Sequence, residues 1–243
     1  MAKGSSSSVL KEKSSDLEYS GRTFFLIASL IMEFLLVFNI FWSCRDTFDC
    51  STFWPTLSYL ACFRGHDRLF NFTLTYFTAI LPVFLIISYT HFSHIYGRCF
   101  NFCFISLGIL ITFTLPFISM IDEANSSHIM PLEKIHIGIM TWFIAGVLIW
   151  IYMSMLCMRK INIPADRIEW KGFLEKYLTF GITMLGFNIY EYFFAYSKNA
   201  NWWVNQNVEA VCEWTVISMA VFLPYVYSLA FPNLRISFKM ARI

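Results

Sequence analysis

Six long apolar segments, separated by short polar stretches, make up most of the 243-residue chain. They cover residues 23–43, 70–91, 99–121, 135–157, 173–196 and 206–231. Each segment has the roughly 20 residues that an α-helix needs to cross the hydrocarbon core of a bilayer. Because lipid cannot satisfy backbone N–H and C=O groups, each crossing segment must be helical. The pattern therefore predicts an all-α polytopic membrane protein, built as a bundle of six transmembrane helices.

Polar segments flank this apolar region at both ends. Residues 1–22 form a Ser-rich tail of mixed charge, and residues 232–243 form a short basic tail. No small-residue cleavage pattern follows the first apolar segment, which is therefore typical of a retained signal anchor. We expect one membrane domain over residues 23–231, between two short tails.

The distribution of Lys and Arg predicts the side of the membrane on which the tails lie. Thirteen of these residues fall in the two tails and around the loops after the second and fourth segments, whereas five fall on the opposite side. Excess positive charge marks the cytosolic side of membrane proteins. Both termini are therefore predicted to be cytosolic, and the loops after the first, third and fifth segments luminal.

Two features typical of a luminal compartment fall on the predicted luminal side. The sequon at Asn125 is a candidate for glycosylation, whereas the sequon at Asn71 lies too close to the bilayer. Cys44, Cys50 and Cys62 cluster in the first luminal loop, where an oxidising compartment preserves disulfides. Three cysteines leave one over, and the sequence leaves open which two pair.

Composition agrees with a membrane protein and excludes one class of partner. Only 14% of the residues are charged and 57% are hydrophobic, whereas about a quarter of the residues in a soluble domain are charged. The net charge of +2 gives no broad basic surface for a nucleic-acid backbone. Nucleic acid is therefore not an expected partner.

Ionisable side chains inside the predicted spans mark the candidate site, because charges within a bilayer are costly and are commonly kept for pairing or for a polar pathway. Most of them lie near the luminal ends of their spans, at the depth of a lipid's glycerol and ester groups. We predict that they form a pocket open to the luminal leaflet. Its members are His136, Asn188, Glu191, Glu209 and Glu213, with Arg64 and Arg68 at the rim.

The chemistry of these groups suits a lipid head group. Arginine forks recognise phosphate, and His136 beside the Glu213 carboxylate is suited to move protons in acyl transfer. Alternatively, the buried polar groups only tie helices together by hydrogen bonds, which is the role we assign to Glu33 in mid-span. No HExxH, GxSxG or Gly-rich phosphate motif is present, so no metal or cofactor is expected.

Several stretches around these residues resemble the six-span FRAG/DRAM/SFK superfamily. Within it, the chain is most similar to the factors that act after GPI attachment to proteins. The matching stretches are 55–58 (PTLS) followed by Arg68, 133–136 (EKIH), 141–145 (TWFIA), 209–216 (EAVCEWTV) and 229–232 (LAFP). The likeness extends from the first span to the sixth.

The resemblance implies a Golgi or ER membrane protein that remodels the fatty acids of GPI anchors, at the reacylation of lyso-GPI. His136 and Glu213 would be its catalytic pair if it is an acyltransferase, a point that the resemblance leaves open. DRAM-like relatives reside instead in lysosomal membranes, and SFK-like relatives affect phospholipids at the cell surface. The alternative is a non-catalytic lipid-binding regulator, or an accessory subunit with a membrane-protein partner.

Overall fold

The computed structural model describes residues 17–52, 54–60, 65–120, 130–161, 165–190, 202–231 and 235–238. Within these residues the chain forms seven α-helices and two short strands. The helices are α1 (Gly21–Asp46), α2 (Leu57–Leu60), α3 (His66–Phe92), α4 (Arg98–Met120), α5 (Met130–Lys160), α6 (Ile168–Tyr190) and α7 (Trp202–Ala230), with a 3-10 turn at Ala165–Arg167. The strands are β1 (Leu17–Ser20) and β2 (Arg235–Phe238).

Five of the helices, α1, α3, α4, α5 and α7, are long and apolar enough to cross a membrane, as expected for a multi-pass membrane protein. Helix α6 corresponds to the predicted segment 173–196 but is not one of the five. Charged residues, Lys176 among them, occupy its first three turns, and its apolar part within the described chain covers residues 177–190. The rest of that segment, residues 191–196, lies outside the described residues.

Several helices extend beyond the apolar segments that predict them. Helix α3 begins at His66 instead of residue 70, and α5 runs from Met130 to Lys160 instead of from 135 to 157. Backbone hydrogen bonding can continue past the hydrocarbon core, because polar side chains at a helix end are solvated at the membrane surface. Pro82, Pro116 and Pro224 all lie inside helices.

The six long helices form a ring in which neighbours in sequence are neighbours in space. The packed pairs are α1 with α3, α3 with α4, α4 with α5, α5 with α6, and α6 with α7; α7 then closes the ring against α1. Two hydrogen bonds join the closing pair: the Ser29 hydroxyl donates to the Val221 carbonyl at 2.7 Å, and the Ser218 hydroxyl donates to Glu33 Oε1 at 2.9 Å. Glu33 therefore ties two helices together, as predicted.

The two ends of the described chain meet in a short antiparallel ribbon. Strand β1 pairs with β2, with Leu17 opposite Phe238 and Ser20 opposite Arg235. The all-α prediction holds for the bundle but misses this ribbon. The ribbon lies at one end of the ring, called here the terminal end. The opposite end, where α1, α4 and α6 finish and α3, α5 and α7 begin, is called the loop end.

The interior of the ring is packed largely by aromatic and branched side chains. Phe104 stacks on Trp150 with ring centroids 5.2 Å apart, and Phe84 meets Tyr227 edge to face at 5.2 Å, both geometries that aromatic pairs prefer. Large apolar side chains also cover the outside of the ring. Phe102, for example, is 72% exposed. An apolar exterior of this kind is suited to lipid, because a water-soluble surface would be rich in charge.

Candidate functional site

The segment Trp54–Leu60, which contains α2, is fastened to the first turns of α7 at the loop end. Glu213 Oε2 accepts a hydrogen bond from the backbone N–H of Leu57 at 2.9 Å. The indole N–H of Trp214 donates to the carbonyl of Pro55 at 3.0 Å. Asn207 Oδ1 accepts from the backbone N–H of Trp54 at 2.8 Å. Three side chains of α7, at positions 207, 213 and 214, thus hold the segment that leads into α2.

The Glu213 carboxylate acts as a cap for α2. The first N–H groups of any helix have no partner within the helix, and in a buried position each must be satisfied from elsewhere. Leu57 opens α2 and is fully buried. A carboxylate at a helix N-terminus is also favoured electrostatically. Glu213 therefore has a structural task at this position, whatever chemistry it performs.

Helix α2 closes the loop end of the ring with apolar side chains. Leu57 and Leu60 are both 0% exposed and pack in one cluster with Leu36 of α1, Phe70 of α3 and Val221 of α7. Burying a leucine side chain is worth about 1.5–3 kcal/mol. The four-residue helix is therefore stabilised by its neighbours and not by its own length.

The fastening joins two of the stretches that carry the family resemblance. Pro55 and Leu57 belong to the stretch at 55–58, and Glu213 and Trp214 belong to the stretch at 209–216. They are more than 150 residues apart in sequence. Two stretches that are far apart in sequence are therefore in contact in the structure.

A second polar cluster at the loop end centres on His66, which the sequence analysis did not identify. The ring is 4% exposed and lies edge-on to Trp42, with ring centroids 4.9 Å apart. Its Nδ1 lies 3.1 Å from the Ser43 hydroxyl and 3.2 Å from Asn39 Oδ1, and its Nε2 lies 3.1 Å from the Thr47 hydroxyl. The cluster joins the end of α1 to the start of α3.

The hydrogen-bond pattern assigns the tautomer of His66. The Ser43 hydroxyl donates to the carbonyl of Asn39 at 2.6 Å, so its oxygen is left to accept from His66 Nδ1–H. Nε2 then accepts from the Thr47 hydroxyl. The sequence signal that could have found this cluster is the pair Asn39 and Ser43, four residues apart and so on one face of an otherwise apolar helix.

A disulfide at the loop end links Cys44 to Cys50, with the two Cα atoms 5.3 Å apart. This settles within the structure the pairing that the sequence left open; Cys62, the third candidate, lies outside the described residues. Asp49 lies inside the disulfide loop, and Ser51 follows the loop. The Ser51 hydroxyl, at 2.6 Å, and the Ser51 backbone N–H both donate to the Asp49 carboxyl and hold its pKa below the ordinary value.

The start of α3 also lies at the loop end. Asp67 Oδ1 accepts from the backbone N–H groups of Gly65 and Arg68, both at 2.7 Å. Gly65 has φ of 105°, a conformation that favours glycine. The Arg68 side chain is exposed at this end of the ring, and its place at the rim of a lipid pocket stays a prediction.

The remaining predicted site residues are only partly described. Asn188 near the end of α6 and Glu209 near the start of α7 are half-buried and belong to loop-end turns of their helices. The backbone of His136 lies in the second turn of α5, but its side chain is outside the described residues. Three further candidates are outside them altogether: Arg64, Asn125 and Glu191. The predicted pairing of His136 with Glu213 stays a prediction.

The ring contains a central cavity of about 120 Å³, lined by side chains of α3, α4, α5, α6 and α7. Its lining is almost wholly apolar. The hydroxyls of Thr112 and Tyr177 are used internally, by donation to the carbonyls of Gly108 at 2.9 Å and Met219 at 2.6 Å. The indole N–H of Trp150 is buried and has no partner among the described residues. An apolar ligand fits such a cavity better than water does.

No metal site is found in the described part of the chain, where no three His, Cys, Asp or Glu side chains are grouped to hold an ion. Comparison of the chain with family models, curated proteins and solved structures finds no match.

Proposed function

We propose that this chain is a six-span membrane protein that binds a lipid inside its helix ring and takes part in GPI-anchor lipid remodelling on the luminal leaflet. The observation that carries the proposal is the apolar cavity lined by five helices, next to a polar loop end. A lipid needs an apolar space for its chains and polar groups for its head, and both are present in one bundle.

The ribbon supports the proposal of six spans. Both strands of the ribbon lie at the terminal end, and five crossings would leave them on opposite sides of a membrane. A sixth crossing by α6 would put both strands on the same side. Its 23 residues would extend about 34 Å, enough for a bilayer core.

The Cys44–Cys50 disulfide supports a luminal loop end, because disulfides persist in oxidising compartments. The excess of Lys and Arg on the terminal side supports the same orientation, with both termini cytosolic. A luminal loop end would face the leaflet in which GPI anchors reside. Together with the family resemblance, this favours the Golgi or ER membrane over the lysosomal or plasma membrane.

Two roles for the protein are consistent with lipid binding. In the first, His136 and Glu213 catalyse acyl transfer to lyso-GPI. In the second, the protein is a non-catalytic lipid-binding regulator or an accessory subunit of a membrane-protein complex. The hydrogen bond from Leu57 N–H to Glu213 favours the second role, because a carboxylate used to cap α2 is less available as a proton acceptor.

Two variants of Glu213 separate these roles. Glu213→Gln keeps an oxygen that can accept from Leu57 N–H but cannot take up a proton, whereas Glu213→Ala removes both capacities. The GPI anchors of cells carrying each variant in place of the natural chain would be measured for lyso-lipid content by mass spectrometry, at matched expression. Raised lyso-lipid content in the anchors of cells carrying either Glu213 variant, and of cells carrying His136→Ala, supports catalysis. Normal anchors with Glu213→Gln and defective anchors with Glu213→Ala support the capping role alone. Normal anchors in a cell that lacks the chain contradict the proposed function.

A further inference from the structure

A groove runs along the outside of the ring between α6 and α7, beside the central cavity. Its volume is about 660 Å³, and along α7 it extends from Trp214 to Leu229. These positions are 15 residues apart, which corresponds to about 22 Å of helix. Trp214 also donates to Pro55, so the groove begins at the loop-end site.

The groove and the central cavity share two lining residues, Tyr177 and Met219. The Tyr177 hydroxyl donates to the Met219 carbonyl at 2.6 Å and bridges the two helices at this point. The Met219 side chain lies over Gly181, where an added Cβ would be 3.4 Å from its Cε. Tyr177, Met219 and Gly181 therefore form a neck between the two spaces.

We propose that the α6–α7 groove is the route by which one acyl chain of a membrane lipid enters the ring, with the neck as its gate. The inference rests on the proposed function, because it assumes that a lipid binds, and it adds the path and the gate. The lipid's head would lie at the loop end near Trp214, and its chain would run along the groove and turn inward past Met219.

The sizes of the two spaces agree with a single chain. A cavity of about 150 Å³ in another protein holds one benzene molecule, so 120 Å³ admits only a few methylene groups. The cavity would thus hold the end of a chain, and the part of the groove between Trp214 and Met219, about 7.5 Å of helix, would hold the carbons next to the head group. Methionine suits a gate because its unbranched side chain changes shape easily.

A competing route lies between α4 and α5, where a groove of about 450 Å³ shares Ile111 and Phe143 with the cavity. There the wall is stiffer. A Cβ added at Gly146 would be 3.3 Å from Ile111 Cγ1, about as close as the contact at Gly181, but isoleucine is stiff because it branches at Cβ. This groove also lacks contact with the loop-end site among its described lining residues. The α6–α7 groove is therefore favoured.

The test uses the full chain in phosphatidylcholine nanodiscs that contain a phosphatidylcholine with a diazirine at the end of one acyl chain. After irradiation, mass spectrometry locates the labelled residues, and the outward-facing Phe102 serves as the reference for labelling from bulk lipid. We expect label on Met219 and on the cavity residue Leu223. Gly181→Leu should lower labelling of Leu223 about tenfold by crowding the neck, and Met219→Ala should raise it.

The matched control is Gly186→Leu on the same helix, where an added Cβ meets nothing within 4 Å; its labelling should equal that of the natural chain. If Gly181→Leu does not fold, Met219→Ala alone still tests the route, because it should raise the labelling of Leu223. Labelling of Leu223 that neither variant changes overturns the proposed route but leaves lipid binding intact. Label confined to outward-facing residues in every variant contradicts lipid binding itself.

Discussion

Glu213 Oε2 lies 2.9 Å from the backbone nitrogen of Leu57, although 156 residues separate the two in sequence. The bond joins the fourth turn of the last long helix to the start of α2, which closes the loop end of the ring. A carboxylate that would be costly inside a bilayer is thereby matched with a backbone donor that would be costly to leave buried and unbonded. The hydrogen bond therefore offsets part of the desolvation cost of both the Glu213 carboxylate and the Leu57 N–H.

Removing the Glu213 carboxylate should therefore destabilise the protein. Glu213→Ala leaves the Leu57 N–H buried without this acceptor, at a cost of about 1–3 kcal/mol in the free energy of unfolding. Glu213→Gln should cost less, because its amide oxygen can still accept. Thermal unfolding of the purified chain in detergent micelles measures both variants, with Glu169→Ala as an exposed control on α6. Equal stability of the Ala variant and the control would show that the bond contributes nothing.

Replacing His66 with alanine should destabilise the protein more than replacing His94 does. His66→Ala removes a buried ring and leaves the Asn39 and Ser43 groups without that partner, so we expect a loss of about 2–4 kcal/mol. His94→Ala provides the matched control, because His94 is exposed at the terminal end. The same unfolding measurement in micelles applies. A loss for His66→Ala no larger than that for His94→Ala would contradict a stabilising role for the His66 cluster.

Apolar length predicts the long helices well, because a bilayer requires about 20 helical residues in each crossing and lipid allows few other structures. The same signal could not predict α2. Four residues are too few to show a period, and α2 exists because Leu57 and Leu60 are buried in a cluster with side chains of four other helices. Nor could it predict the ribbon, whose strands lie at opposite ends of the chain.

The candidate site was predictable in part for a related reason. Glu213 stands out because a carboxylate in an apolar segment is rare, and its depth near the loop end follows from the helical rise. Its partner does not stand out, because Leu57 contributes only a backbone N–H. His66 was missed because it lies before the predicted apolar segment, and its hydrogen-bond partners Asn39, Ser43 and Thr47 precede it by 19–27 residues.

The Cys44–Cys50 disulfide should be present in the mature protein and should contribute modestly to stability. Non-reducing peptide mapping is expected to recover the two cysteines in one linked peptide. Because the disulfide closes a loop with a sequence separation of only 6, Cys44→Ser should lower stability by about 2 kcal/mol. Cys50→Ser and the double variant should match it, since any of the three removes the same bond, whereas Cys103→Ser, an exposed free thiol, should have little effect. Additive losses in the double variant would exclude a shared disulfide.

Glycosylation tests the luminal orientation of the loop end, on which the GPI proposal depends. The sequon at Asn125 lies between α4 and α5, whose facing ends belong to the loop end, so a luminal loop end predicts a glycan on Asn125. The sequon at Asn71 should stay unmodified, because it lies in the second turn of α3 with Thr73 only 1% exposed and its hydroxyl donating to the Leu69 carbonyl at 2.7 Å.

Expression of the tagged chain in eukaryotic cells, with and without peptide N-glycosidase treatment, measures both sequons by gel mobility. Asn125→Gln should abolish the enzyme-sensitive shift, and Asn71→Gln should leave it unchanged. A missing glycan alone does not decide the side, so a sequon placed in the Ser-rich tail at residues 5–8 serves as the reciprocal probe. Modification of that tail sequon with none at Asn125 would put the termini in the lumen. The loop end, with Glu213 and the start of the groove, would then face the cytosolic leaflet. The GPI proposal would fail, because it requires a site on the luminal leaflet. The lipid route between α6 and α7 does not depend on this orientation.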